Sequence, residues 1–144
     1  MLKDILSISG HTGLFRLVSK AKNGIIVESL NDEKRMPVYA SSRLSALEDI
    51  SIFLTEGDLK LTEVFIMIFE NKIEVDSKVS SDNLKKNFLQ ILPNYDDSRV
   101  YVSDIKKIFS WYNQLIEKGI ISEETIKSYK ESLEEEKLEE EKKD

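Results

Sequence analysis

Cysteine is absent from the 144 residues, which excludes disulfides, thiolate zinc sites and cysteine nucleophiles and fits a reducing compartment. Histidine is nearly absent. The single one, His11, sits in Gly10-His11-Thr12-Gly13 without the placed partner a general base needs, and is read as an exposed turn residue. Two glycines three apart, without a following lysine and helix, do not make a phosphate loop. Long apolar runs are missing too: the longest, Val64 to Phe69, falls far short of the roughly 20 residues a membrane-spanning helix needs. The opening Met1-Leu2-Lys3-Asp4-Ile5-Leu6 carries an acid and lacks the apolar run of a signal peptide. These absences predict a cytoplasmic protein with no membrane segment.

What is present is charge, unevenly spread. Residues 1–58 hold 7 Lys/Arg against 8 Asp/Glu, residues 59–121 hold 9 against 9, and residues 122–144 hold 5 against 10, which together give the net −6. The body is therefore nearly neutral and the acidity belongs to the end. A neutral body does not gather phosphate, because nucleic-acid affinity comes mainly from Lys and Arg displacing counterions. At this length about two-thirds of the unfolded chain's surface can be buried, enough for a core without staples.

Hydrophobic periodicity changes once along the chain. The first 58 residues read as short strands separated by turns: Leu14 to Val18, Ile25 to Leu30, Arg35 to Ala40 and Ile50 to Thr55. Asn23-Gly24 is the expected positive-φ turn of a type I′ hairpin. Pro37 cannot donate to a ladder, so its strand belongs at an edge or carries a bulge. Ser42 to Leu47 is read as a helical turn. Beyond Gly57 the period becomes helical. Leu61, Val64, Phe65, Ile68 and Phe69 form one stripe, with Thr62 as candidate N-cap. Leu84, Phe88, Ile91 and Leu92 form a second stripe, opened by Ser81 and closed by Pro93. Ile105, Ile108, Phe109, Tyr112, Leu115 and Ile116 form a third, opened by Ser103 and stopped at Gly119. After Ser122, Ile126, Tyr129 and Leu133 share one side of a further helix. Its continuation from Glu134 has only Leu138 to bury, and fraying into disorder is expected despite the Glu123–Lys127 and Glu139–Lys143 spacings.

The predicted fold class is α+β. A small antiparallel β-sheet or SH3-like barrel over residues 1–58 precedes a three-helix part over 59–121 and an acidic helical or disordered tail over 122–144. The strings Leu2 to Gly10, Lys22 to Leu30 and Arg35-Met36-Pro37 resemble the start of a bacterial domain-of-unknown-function family. Leu92 to Asp96, Val100 to Lys107 and Trp111-Tyr112-Asn113 resemble its second half. The resemblance implies a bacterial cytoplasmic protein with an N-terminal β part and a C-terminal helical part. It brings no activity and transfers no functional residue.

No catalytic set, cofactor or metal site is predicted. Asp96, Asp97 and Asp104 invite a Ca²⁺ or Mg²⁺ proposal, but they lack the spacing of a calcium loop, and turn formation and helix capping explain them. Trp111, Tyr95 and Tyr101 are candidates for an aromatic partner-binding surface, set against burial of Trp111 on the β part. Lys20, Lys22, Lys34 and Arg35 flank the hairpin turns. Gathered at one end of a small barrel they would form a nucleic-acid face, opposed by Glu28, Asp32 and Glu33. The second and third helices are too far apart for a helix-turn-helix. The leading expectation is a non-enzymatic protein–protein interaction or regulatory module with a protein partner or as a homodimer. Nucleic-acid binding by the β part is the alternative.

Overall fold

The computed structural model describes residues 1–39 and 41–142. The last residue of the predicted third strand, Ala40, and Lys143 of the Glu139–Lys143 spacing lie outside the described residues.

Five strands form one antiparallel sheet: β1 (Ile5–Ile8), β2 (Phe15–Ala21), β3 (Gly24–Ser29), β4 (Arg35–Tyr39) and β5 (Leu44–Ala46), in the order β4-β3-β2-β1-β5. The sheet does not close into the SH3-like barrel expected as the alternative. β4 and β5 are the two outer strands and do not pair, so the sheet is open. Pro37 sits in β4, as a residue without an N–H must, and marks that edge. The segment read as a helical turn is also different: β5 covers Leu44–Ala46, and only Leu47–Asp49 is a 3₁₀ turn. Pairing with β1 holds this short polar stretch extended, from Leu6 opposite Ala46 to Ile8 opposite Leu44.

The hairpin between β2 and β3 turns through Lys22 and Asn23, not Asn23 and Gly24, and neither of those positions nor Gly24 has positive φ. Gly24 is needed for a different reason. It lies opposite Tyr39, where a Cβ would run into the carbonyl oxygen of Val38 on β4.

β6 (Ser51–Phe53) and β7 (Asp58–Lys60) make a separate two-stranded ribbon that leads into the helices. These are α1 (Leu61–Glu70), α2 (Ser81–Ile91), α3 (Val102–Glu117) and α4 (Glu123–Lys142). α1 begins without a side-chain cap, and Thr62, the expected cap, is buried inside the helix. α2 is capped one residue earlier than expected, by Ser80, whose Oγ accepts the Asn83 N–H. α3 starts with Tyr101 donating its backbone N–H to the Asp104 carboxylate at 2.9 Å, so Asp104 caps the helix and Ser103 does not. It ends at Gly119, φ +71°, with the Ile120 N–H reaching back to the Leu115 carbonyl.

The acidic tail is helical to Lys142 rather than frayed. Ser122 and Thr125 cap it reciprocally, each side-chain oxygen accepting the other's backbone N–H. Buried Ile126, the Tyr129 hydroxyl donating to Glu63, and Lys130 paired with Glu70 at 3.0 Å then fasten its first half to α1. This docking supplies the nucleus that an isolated acidic helix lacks.

Two hydrophobic clusters result. Ile8, Phe15, Val27 and Val38 fill one face of the sheet. The larger cluster joins Leu2, Ile5, Leu14, Leu30 and Leu47 of the β part to the inner faces of the helices, so the two parts share a core. Phe88 stands at its centre on the α2–α3 side, edge-on to Tyr95 at 4.9 Å and tilted against Phe109 at 6.1 Å. A polar joint accompanies the shared core. The side chain of Gln114 in α3, itself buried, accepts the Leu14 N–H at 2.9 Å and donates to the Asn31 side chain at 2.6 Å.

A cationic cleft between the sheet and the third helix

Helix α3 carries two faces. Ile105, Phe109, Tyr112 and Leu115 enter the shared core. A second stripe, Asp104, Lys107 and Trp111 at helical spacing, with Ser103, Lys106 and Ser110 beside it, borders a cleft of about 880 Å³. The opposite wall is formed by Ser7 of β1, Ser45 of β5, the flanking Ser9 and Arg43, and the Gly10–Gly13 turn. Ser51 to Phe53 and Arg99 close one end. Four elements distant in sequence therefore meet around one depression.

The lining is mixed. Its charged side chains are Arg43, Arg99, Lys106 and Lys107 against one carboxylate, Asp104, in a chain of net charge −6. Among the described residues Arg43, Lys106 and Lys107 take part in no ion pair. Arg99 is held in place. Its guanidinium lies over the Phe53 ring, 4.3 Å from the centroid, and its Nε meets Asp96 at 2.8 Å. Asp96 also accepts from the Ser98 hydroxyl at 2.6 Å and the Ser98 N–H at 3.0 Å. The Ser98 hydrogen bond, then Arg99, hold the Asp96 carboxyl down to about 2. Ile52, Val100 and Ile108 give the cleft an apolar floor, with Phe53 exposed and Trp111 half-buried at its rim.

The predicted aromatic patch does not assemble. Tyr95 is buried against Phe88, and burial followed by the nearby Asp97 raises its hydroxyl pKa. Tyr101 is exposed at the start of α3, ten residues before Trp111 and thus roughly 15 Å away along the axis on another side of the helix. Of the three, only Trp111 lines the cleft. The predicted basic residues do not gather at one end either. Lys20 and Lys22 are at the β2–β3 turn, whereas Lys34 and Arg35 are at the β3–β4 turn, at the far end of β3 about 17 Å away. Arg35 is further paired with Glu28 at 3.4 Å.

The carboxylates considered for a cation serve the backbone instead: Asp96 turns its loop and Asp104 caps α3. Among the described residues no three metal-ligating side chains converge, and no helix is long and apolar enough to cross a membrane. His11 stands exposed at the mouth of the cleft, edge-on to Phe15.

Residues 2–47 match a domain of unknown function, DUF5606, and residues 50–115 match a second one, DUF6852. The matches meet at the 3₁₀ turn between β5 and β6, whereas the change of hydrophobic period falls after Gly57; β6 lies between the two positions and β7 follows the second. A solution NMR structure of a Bacteroides vulgatus protein, a target of the Northeast Structural Genomics Consortium, is similar at 40% identity. It covers 85% of this chain and 90% of its own, with a TM-score of 0.69. The chain belongs to the family that these two domains of unknown function and the Bacteroides vulgatus protein represent. No curated protein matches it.

Proposed function

We propose that this is a non-enzymatic, cytoplasmic binding module whose cleft between the sheet and α3 takes an acidic polypeptide segment. The observation that carries the reading is the meeting of three cations, Arg43, Lys106 and Lys107, in no ion pair among the described residues, with one carboxylate, Asp104, in a cleft whose floor is apolar, on a chain that is acidic as a whole. A depression lined by one sign of charge focuses the potential on ligands of the opposite sign. The apolar floor and the half-buried Trp111 favour a segment that brings apolar side chains with its carboxylates, since aromatic anchors carry much of the energy at protein interfaces.

Nucleic acid is the weaker reading. The Lys20, Lys22, Lys34 and Arg35 set divides between two ends of the sheet, and a net charge of −6 opposes a ligand with one charge per nucleotide.

Trp111 is the only tryptophan and lines the cleft, so its emission reports occupancy directly. Titration with a synthetic glutamate- and leucine-containing peptide free of tryptophan and tyrosine is expected to shift that emission saturably. Added salt and the Lys106→Glu/Lys107→Glu variant should both weaken the response. An emission unchanged by the peptide contradicts the reading, and a response to a single-stranded oligonucleotide alone transfers the cleft to nucleic acid.

A further inference from the structure

We infer that the acidic segment seated in the cleft is the second half of α4 from another copy of this chain, giving head-to-tail association. The inference rests on the reading of the cleft just given and names its occupant.

Among the described residues, helix α4 is anchored through its first half, by Ile126, Tyr129 and Lys130. From Glu134 to Lys142 every residue is exposed, and the helix continues for about 13 Å. This stretch holds six glutamates against Lys137 and Lys142, with one large apolar side chain, Leu138, 55% exposed. It therefore offers what the cleft lacks: carboxylates for Arg43, Lys106 and Lys107, and an apolar side chain to set beside Phe53 and Trp111. Like charge opposes packing of one α4 end against another, so the complementary surface on a second copy is the cationic cleft. Joining a tail to a cleft uses two different patches, so the contact is heterologous and produces a ring where the rotation closes or a chain where it does not. Because both surfaces are exposed, the interaction is electrostatic at its rim and falls with ionic strength.

Analytical ultracentrifugation of the full chain tests this with two charge-reversed variants. One is Lys106→Glu/Lys107→Glu in the cleft; the other is Glu139→Lys/Glu140→Lys/Glu141→Lys in the tail. All five positions are exposed, so the fold is retained. At low salt the average mass of the natural chain is expected to rise with concentration to about twofold or more, and to return to monomer in high salt. Each variant alone should associate about tenfold more weakly. An equimolar mixture of the two should associate again, because each supplies a tail complementary to the other's cleft.

A natural chain that stays monomeric at every concentration and salt overturns the inference. So does association that both variants retain, or a mixture that stays monomeric. The Trp111 titration with an unrelated acidic peptide separates this failure from failure of the binding reading: a saturable shift in a strictly monomeric chain leaves the cleft an acidic-peptide site and removes only the second copy as its occupant.

Discussion

Gln114 and Leu14, 100 residues apart in sequence, are joined by a buried hydrogen bond of 2.9 Å from the Leu14 backbone N–H to the Gln114 side-chain oxygen. The same amide donates to Asn31 at 2.6 Å, so one side chain of α3 satisfies the loop entering β2 and the loop leaving β3. The strength of the joint lies in the cost of leaving it unmade. A buried N–H that loses its acceptor costs roughly 1–3 kcal/mol, more than the net worth of the bond.

Gln114→Leu is expected to lower the free energy of unfolding by about that amount, 1–3 kcal/mol, and to speed hydrogen exchange at the Leu14 amide. Asn31→Ala should cost much less, because Asn31 is exposed and its loss leaves Gln114 able to reach water. Urea denaturation of the two variants checks the order. Equal losses would show that the Leu14 amide is not sealed from solvent.

Gly24→Ala should destabilise by about 1–3 kcal/mol, the usual range for overpacking, since the new methyl meets the Val38 carbonyl of the neighbouring strand. Gly10→Ala provides the contrast. Gly10 has φ +86° and open space around its Cβ position, so its cost is the left-handed backbone alone, about 1–2 kcal/mol. The distinguishing measurement is the exchange of β3–β4 ladder amides, which Gly24→Ala should accelerate and Gly10→Ala should leave unchanged.

These positions also show how far the sequence could be read. The stripes of α1 and α3 were legible because one face of each helix is buried in a single large core, and burial of that kind writes a 3.6-residue period. Pro37 announced an edge strand because a missing N–H has one tolerable place in a sheet. Gly24 was misread: its neighbour Asn23 imitates a turn signal, whereas the need for glycine comes from a strand that sequence does not show to be adjacent. β5 was illegible because Leu44-Ser45-Ala46 has neither length nor alternation and is extended only through pairing with β1. The cleft was missed for a similar reason, its walls coming from four separate elements. Its one local sign was the second stripe of α3, Asp104, Lys107 and Trp111, behind the apolar one. The helical tail was underestimated because Tyr129 to Glu63 and Lys130 to Glu70 are long-range contacts.

Asp96 sets a defined acid limb. Its carboxyl is held down to about 2 in the folded chain, first by the Ser98 hydroxyl and then by Arg99. A carboxylate with a depressed native pKa stabilises the fold above its ordinary value near 3.8, and that contribution disappears as pH falls from there toward 2. Asp96→Asn should therefore flatten the decline in stability between about pH 4 and pH 2. A side-chain carboxyl titration by NMR that places Asp96 in the ordinary range would contradict the geometry.

Tyr129 gives the opposite limb. Burial, then the charge of Glu63, raise its hydroxyl pKa above 10.0. For an acid whose native pKa is raised, the contribution is complete below the unfolded value and is lost as pH climbs through the folded one. Docking of α4 should weaken above about pH 10, seen as faster proteolysis or exchange in 122–133, and Tyr129→Phe should remove that alkaline step. An alkaline step that persists in Tyr129→Phe would assign it to another group.

The proposed role of the cleft between the sheet and α3 is to bind an acidic polypeptide segment. Amide and indole chemical shifts of the full chain, followed by NMR during addition of a glutamate-rich peptide, address it most directly. Saturable shifts confined to Arg43, Lys106, Lys107, the Trp111 indole and the Gly10–Gly13 turn are predicted. Shifts confined to surfaces outside the cleft, or none, would contradict it.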